Sequence, residues 1–283
     1  MPETKAHYTY HYHLLIVPAI RILLGIPSSL SHDAALLLRG THPPPRVLNA
    51  ENIPPASPFV LTLNHYDRPG LAAWWGAAAM LRAVAAQRTR APRDLHLAMA
   101  REWWYPGGWG RAVKQPLTQW FFGQIAKAYG TIRLPPVLGN DEFRGEGALA
   151  IRRAVALTRG DQPQLVGLTP EGHTGDNLSL CHPPAGAGLF LLMLTHDTLP
   201  ILPAGIFEDN DKILTVSFGA PFQLSDSRSL SRAERDAHAA RQVMVETGRL
   251  LPERMWGAYC EDIRKASALE HETYEMCIGQ EHA

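Results

Sequence analysis

The sequence predicts an α/β fold: a mainly parallel central sheet flanked by helices, preceded by an apolar N-terminal helix. Three observations carry that expectation. Short apolar runs of strand length, at residues 59–63, 95–99, 165–169, 198–206 and 213–218, alternate with longer segments of helical period. Glycine and proline punctuate the joins, as at Pro69-Gly70, Gly130 and Pro170. Finally, 46% of the 283 residues are apolar, enough for a substantial core, and the chain shows no internal repeat.

Residues 14–26 (LLIVPAIRILLGI) form the N-terminal apolar helix, interrupted by Pro18 and Arg21. At about 13 residues it falls short of the roughly 20 that span a bilayer. Glu3 and the His/Tyr-rich positions before it disfavour a secretory signal. A helix lying in the membrane interface fits, with Tyr8, Tyr10 and Tyr12 as anchors and Arg21 snorkelling. Residues 41–45 (THPPP) read as a linker, which divides the chain into residues 1–45, an α/β domain at 46–250, and a peripheral tail at 251–283.

Within the domain, a polar loop at 49–58 feeds the strand 59–63. Asp67 then occupies a helix N-cap position with Pro69 in the first turn. The helix that follows covers about 71–90, with Trp74, Ala78 and Leu81 on one face. After the strand 95–99, Trp103, Trp104 and Trp109 surround Pro106-Gly107-Gly108 in a loop whose rings are either buried or interfacial. Residues 113–129 have helical spacing and stop at Gly130, and 131–134 form a short strand. Helices at 142–159, 185–196 and 231–250 complete the pattern around the later strands.

Charge and cysteine usage narrow the function classes. Lysine plus arginine (27) balance aspartate plus glutamate (27), so no basic field points to nucleic acid. Cys181, Cys260 and Cys277 are scattered without metal-ligand spacing, which suits a reduced, cytosol-facing protein.

Chemistry concentrates at strand ends. Asn64-His65-Tyr66-Asp67 follows the first strand, Arg133 lies in the 131–134 strand, and Glu171-Gly172-His173-Thr174 follows the 165–169 strand. Ligands of open α/β sheets bind beyond such carboxyl ends. A histidine there suits a general base, and a helix N-terminus beside it favours its neutral form. Asp67 serves either as the helix cap or as the carboxylate that orients His65. No Gly-x-Ser-x-Gly elbow is present, so direct transfer without a covalent intermediate is expected.

In order and spacing, Asn64-His65, residues 130–133, residues 169–174, residues 199–206 and Gly219-Ala220-Pro221 resemble the blocks of the glycerolipid acyltransferase family, the enzymes that acylate glycerol phosphate and lysophospholipids. The resemblance covers about 59–224. Two positions depart from the family pattern: Gly70 stands where the family has an aspartate, and Thr174 where it has an arginine. The resemblance implies an acyltransferase with His65 as base and Asp67 as its partner. It implies Asn64, Arg133, Glu171, Gly172, His173 and Thr174 as substrate-binding residues. It further implies an acyl thioester of coenzyme A or acyl carrier protein as co-substrate, no metal or other cofactor, a glycerolipid or lysophospholipid acceptor, and peripheral attachment to the cytoplasmic face of a membrane. Two rival readings are a metal-dependent hydrolase built on His65, Asp67, His173 and Asp176, and a relative that binds lipid without catalysis.

Overall fold

A computed structural model describes residues 6–90, 92–136, 147–196 and 198–268. The first elements are β1 (His7–Tyr8), α1 (Tyr12–Leu24), α2 (Leu30–Leu37), β2 (Thr41–His42), β3 (Arg46–Leu48) and β4 (Val60–Leu63). Next come α3 (Ala73–Gln87), β5 (Leu95–Ala100), α4 (Gln115–Tyr129), β6 (Ile132–Leu134), α5 (Ala148–Thr158) and β7 (Leu165–Leu168). The last are α6 (Ala187–Thr195), β8 (Ile201–Glu208), β9 (Leu214–Phe218) and α7 (Arg232–Gly248). Seven strands form one sheet in the order β3-β9-β8-β4-β7-β5-β6. The pairings from β8 through β6 are parallel, whereas β9 returns antiparallel to β8 and β3 pairs parallel to β9. The expected α/β architecture with a mostly parallel sheet is observed. β2 falls in the expected linker, and β3 lies between that linker and the expected loop; two or three residues are too few to show a period in sequence.

Alternation along each strand divides the core in two. Leu61, Leu63, Leu202 and Ile206 face α3 with Trp75 and Met80, while Val60, Val166 and Ile201 face Ala154, Phe190 and Val243 of α5, α6 and α7. α3 lies close to β8 because residue 76 is glycine: a Cβ there would come within 2.6 Å of Ile206 Cγ2. The buried tryptophan of α3 is Trp75; Ala78 and Leu81 are buried as well, whereas Trp74, grouped with them on one face in sequence, is exposed. The predicted 142–159 helix is seen as α5, and its first turns, including Glu142, lie outside the described residues.

The N-terminal residues set apart on sequence pack against this core. β1 pairs with β2, and Thr9 N donates to Gly40 O at 2.7 Å. The rings of Tyr8 and Tyr10 stack on Trp75 at 5.7 and 5.2 Å, so neither is an outward anchor; Tyr12 is 75% exposed. α1 packs along α4, where Gln124 Nε2 donates to Leu23 O at 2.7 Å. Their outer faces leave Ile16, Val17, Ile20, Leu24, Leu117 and Trp120 exposed, and Trp103 and Trp109 stand exposed before α4 rather than buried. Among the described residues no helix is long and apolar enough to cross a membrane. Beyond α7, Leu251, Met255, Tyr259 and Ile263 are buried in the core, so the described part of the expected tail is structural; Cys277 lies outside the described residues.

Candidate active site

β4 is central and buried along its whole length, so its carboxyl end is reached by loops from both neighbouring strands. The backbone of Asn64 to Arg68 is held from each side. Asn64 is 2% exposed, and its side-chain amide forms a two-bond clamp with Ile206 of β8: Nδ2 donates to the carbonyl at 2.9 Å, and Oδ1 accepts from the amide at 2.7 Å. On the same side, Tyr66 Oη donates to Glu208 Oε2 at 3.0 Å, and Arg68 Nε donates to the same oxygen at 2.6 Å. Arg68 Nη2 pairs with Glu208 Oε1. Burial, followed by the charge of Glu208, pushes the Tyr66 hydroxyl up to about 12.

From the β7 side, Glu171 is 1% exposed and accepts two main-chain amides, His65 N at 3.0 Å and Cys181 N at 2.8 Å. Gly172, at φ +72°, makes the turn that follows. Burial raises the Glu171 carboxyl above its ordinary value, and the two amide bonds oppose that rise.

Side chains alternate along this held segment: Asn64 and Tyr66 turn inward, while His65 and Asp67 face the opening. The His65 ring is partly exposed. Its Nδ1 lies 2.7 Å from Thr174 Oγ1 and 3.5 Å from Asp67 Oδ1. Thr174 Oγ1 in turn donates to Asp67 Oδ1. Nε2 has no hydrogen-bond partner among the described residues. Burial lowers the His65 pKa below its ordinary value, Asp67 works to raise it, and His173 adds to the lowering. The neutral form is thus favoured by burial and not by a helix end, because α3 begins only at Ala73.

Several expected roles change. Asp67 is not a helix cap: Ala72 holds that position, and Arg68 and Leu71 exchange two main-chain bonds around Gly70 at φ +84°, which delays the helix. Asn64 and Glu171, expected to bind substrate, are buried with their polar atoms engaged by backbone, an arrangement that braces the loop carrying His65. Thr174 is engaged by His65 and Asp67. Gly172 supplies the turn. His173 is exposed, with Nδ1 donating to Glu171 O at 3.0 Å and Nε2 lying 3.7 Å from Cys181 Sγ. Arg133 is not brought to this cluster. It sits on the edge strand β6, three strands from β4, a lateral distance of about 14 Å. Its guanidinium lies near Gly123 of α4.

Glu102, a carboxylate beside the tryptophan loop, is buried and paired with Arg101. Among the described residues no three His, Cys, Asp or Glu side chains converge as a metal site, so His65, Asp67, His173 and Asp176 do not form the ligand set of the hydrolase reading. Sequence reasoning missed Glu208, which holds Tyr66 and Arg68, and read Cys181 only as a scattered cysteine, whereas its main-chain amide completes the Glu171 brace; a backbone donor leaves no signature in side-chain identity. Burial, then Glu171, raises its thiol to about 11.

No family model and no curated protein matches the chain. Its fold is similar to the crystal structure of the 1-acyl-sn-glycerophosphate (LPA) acyltransferase, PlsC, from Thermotoga maritima, at 12% identity and a TM-score of 0.43, over 82% of this chain and 87% of that one. A likeness of that degree carries no argument about activity.

Proposed function

We propose that the protein is an acyltransferase that moves a fatty acyl group from an acyl thioester of coenzyme A or acyl carrier protein to a hydroxyl of a glycerolipid or lysophospholipid. The observation that carries this reading is the state of His65: its Nδ1 is engaged, its Nε2 is unpartnered among the described residues, and burial favours the neutral ring. Nε2 takes the acceptor's hydroxyl proton as the oxygen attacks the thioester carbonyl. The carbon–sulfur bond then breaks, and the imidazolium returns the proton to the leaving thiolate. The arrangement of blocks along the sequence supports the choice of acyl chemistry. Direct transfer is the reading supported by the absence of a Gly-x-Ser-x-Gly elbow in the sequence.

The exposed apolar faces of α1 and α4 support work at a membrane surface. Tyr12, Trp103 and Trp109 are exposed, and Arg21, Lys114 and Lys127 supply cations in or just before these helices. On this reading the protein is peripheral, with the acceptor reaching His65 from the lipid surface.

The test is turnover of radiolabelled acyl-CoA or acyl carrier protein by the purified full chain, against a panel of lysolipids in vesicles. Acyl transfer that falls by about 10²–10⁴-fold in His65→Ala is expected. Full activity in that variant, or binding of lipid with no turnover from either donor, would overturn the reading.

A further inference from the structure

We infer that Thr174 is a positioning residue that sets the tautomer of His65, its hydroxyl standing between the imidazole and Asp67; this rests on His65 being the base of the transfer proposed above. The direction of each bond follows from the number of hydrogens available. The Asp67 carboxylate can only accept. The Thr174 hydroxyl has one hydrogen, and it donates this to Asp67 Oδ1. What the hydroxyl offers His65 Nδ1 at 2.7 Å is therefore a lone pair, and Nδ1 must carry the ring hydrogen. That leaves the bare lone pair on Nε2, the atom without a partner among the described residues.

The carboxylate thus acts on the ring mainly through the hydroxyl. Its own separation from Nδ1, 3.5 Å, is longer than an ordinary hydrogen bond. Thr174 can stand there because Gly172 turns the chain just before it, while Glu171 holds the main chain of His65 from below. When Nε2 takes a proton, the positive charge spreads to Nδ1–H, which points at an oxygen already polarised by Asp67. The Nδ1 hydrogen stays where it is; the relay orients and stabilises, and no proton crosses it. The titratable groups facing the ring are Asp67 from its own loop and His173 from the loop after β7.

The experiment is NMR of the full chain labelled with ¹⁵N-histidine, with the His65 signal assigned by its loss in His65→Gln. Above its titration midpoint the wild-type ring is expected to be protonated at Nδ1 and bare at Nε2. Thr174→Val keeps the shape but removes the hydroxyl. It should move the ring toward the Nε2–H form and lower kcat on the order of 10²-fold with little change in KM. Thr174→Ser should restore both. Asp67→Ala frees the hydroxyl to donate to Nδ1 and should also increase the Nε2–H form, which keeps the inference testable should the valine variant fail to fold. A wild-type ring protonated at Nε2, or a folded valine variant with unchanged tautomer, would overturn it, as would a serine variant no better than valine. The spectrum is read without substrate, so the expected tautomers in a chain that never turns over would sink the transfer reading and leave the relay standing.

Discussion

Two buried glutamates flank the loop that carries His65, and they hold it in opposite ways. Glu171, from the β7 side, accepts the main-chain amides of His65 and Cys181. Glu208, from the β8 side, bonds only side chains within the loop, those of Tyr66 and Arg68, one of them a cation. A carboxylate that holds backbone fixes where a residue is, whatever its side chain. A carboxylate that holds side chains fixes the residues on either side and leaves His65 itself untouched. His65 is therefore positioned by Glu171 and steadied by Glu208.

Removing each brace should break this comparison in a set order. Glu171→Ala is expected to have the largest effect on stability, because it orphans two amides at about 1–3 kcal/mol each. Urea denaturation would measure the loss, and kcat should fall with it since His65 is released. Glu208→Gln should cost less, about 1–2 kcal/mol, because the Arg68 side chain is a third exposed and water screens its lost partner. Its effect on kcat should be smaller than that of Glu171→Ala; equal losses from the two variants would show that the flanks do not differ.

Asp67→Asn gives the smallest expected change in stability, because the Asp67 side chain is about half exposed. It keeps an acceptor oxygen for Thr174 and removes the charge. Asp67 raises the pKa of His65 against the lowering by burial, so its neutralisation should move the acid limb of the kcat/KM profile to lower pH. The sign also governs stability. A histidine whose folded pKa is depressed contributes stability that is present above the unfolded value near 6.5 and lost as pH falls through the folded value. An acid limb that moves upward in Asp67→Asn would contradict this electrostatic assignment.

The strands most legible in sequence are those buried on both faces. β4, β7, β8 and β9 are runs of apolar residues because helices cover both sides of the sheet, and the punctuation at their ends locates the site. His65 was legible for that reason. The rest was not, because it depends on contacts between distant segments. Thr174 meets His65 across 109 positions, and Glu171 meets it across 106, so no local pattern marks one as a relay and the other as a brace. Asp67 read as a cap because acid followed by Pro69 imitates a helix start, whereas Gly70 makes a turn first. Arg133 read as part of the site because residues 130–133 take their place in the ordered sequence blocks, but the strand order puts it at the sheet edge.

The close approach at Gly76 has a consequence beyond packing. The atom that a Cβ at position 76 would strike belongs to Ile206, and the backbone of Ile206 is the other half of the Asn64 clamp. Asn64 immediately precedes His65. Helix, strand, clamp and imidazole form one rigid train of parts with almost no clearance at its first joint. The tolerance on the position of the imidazole is set, in part, by the absence of a single methyl group on the far face of β8.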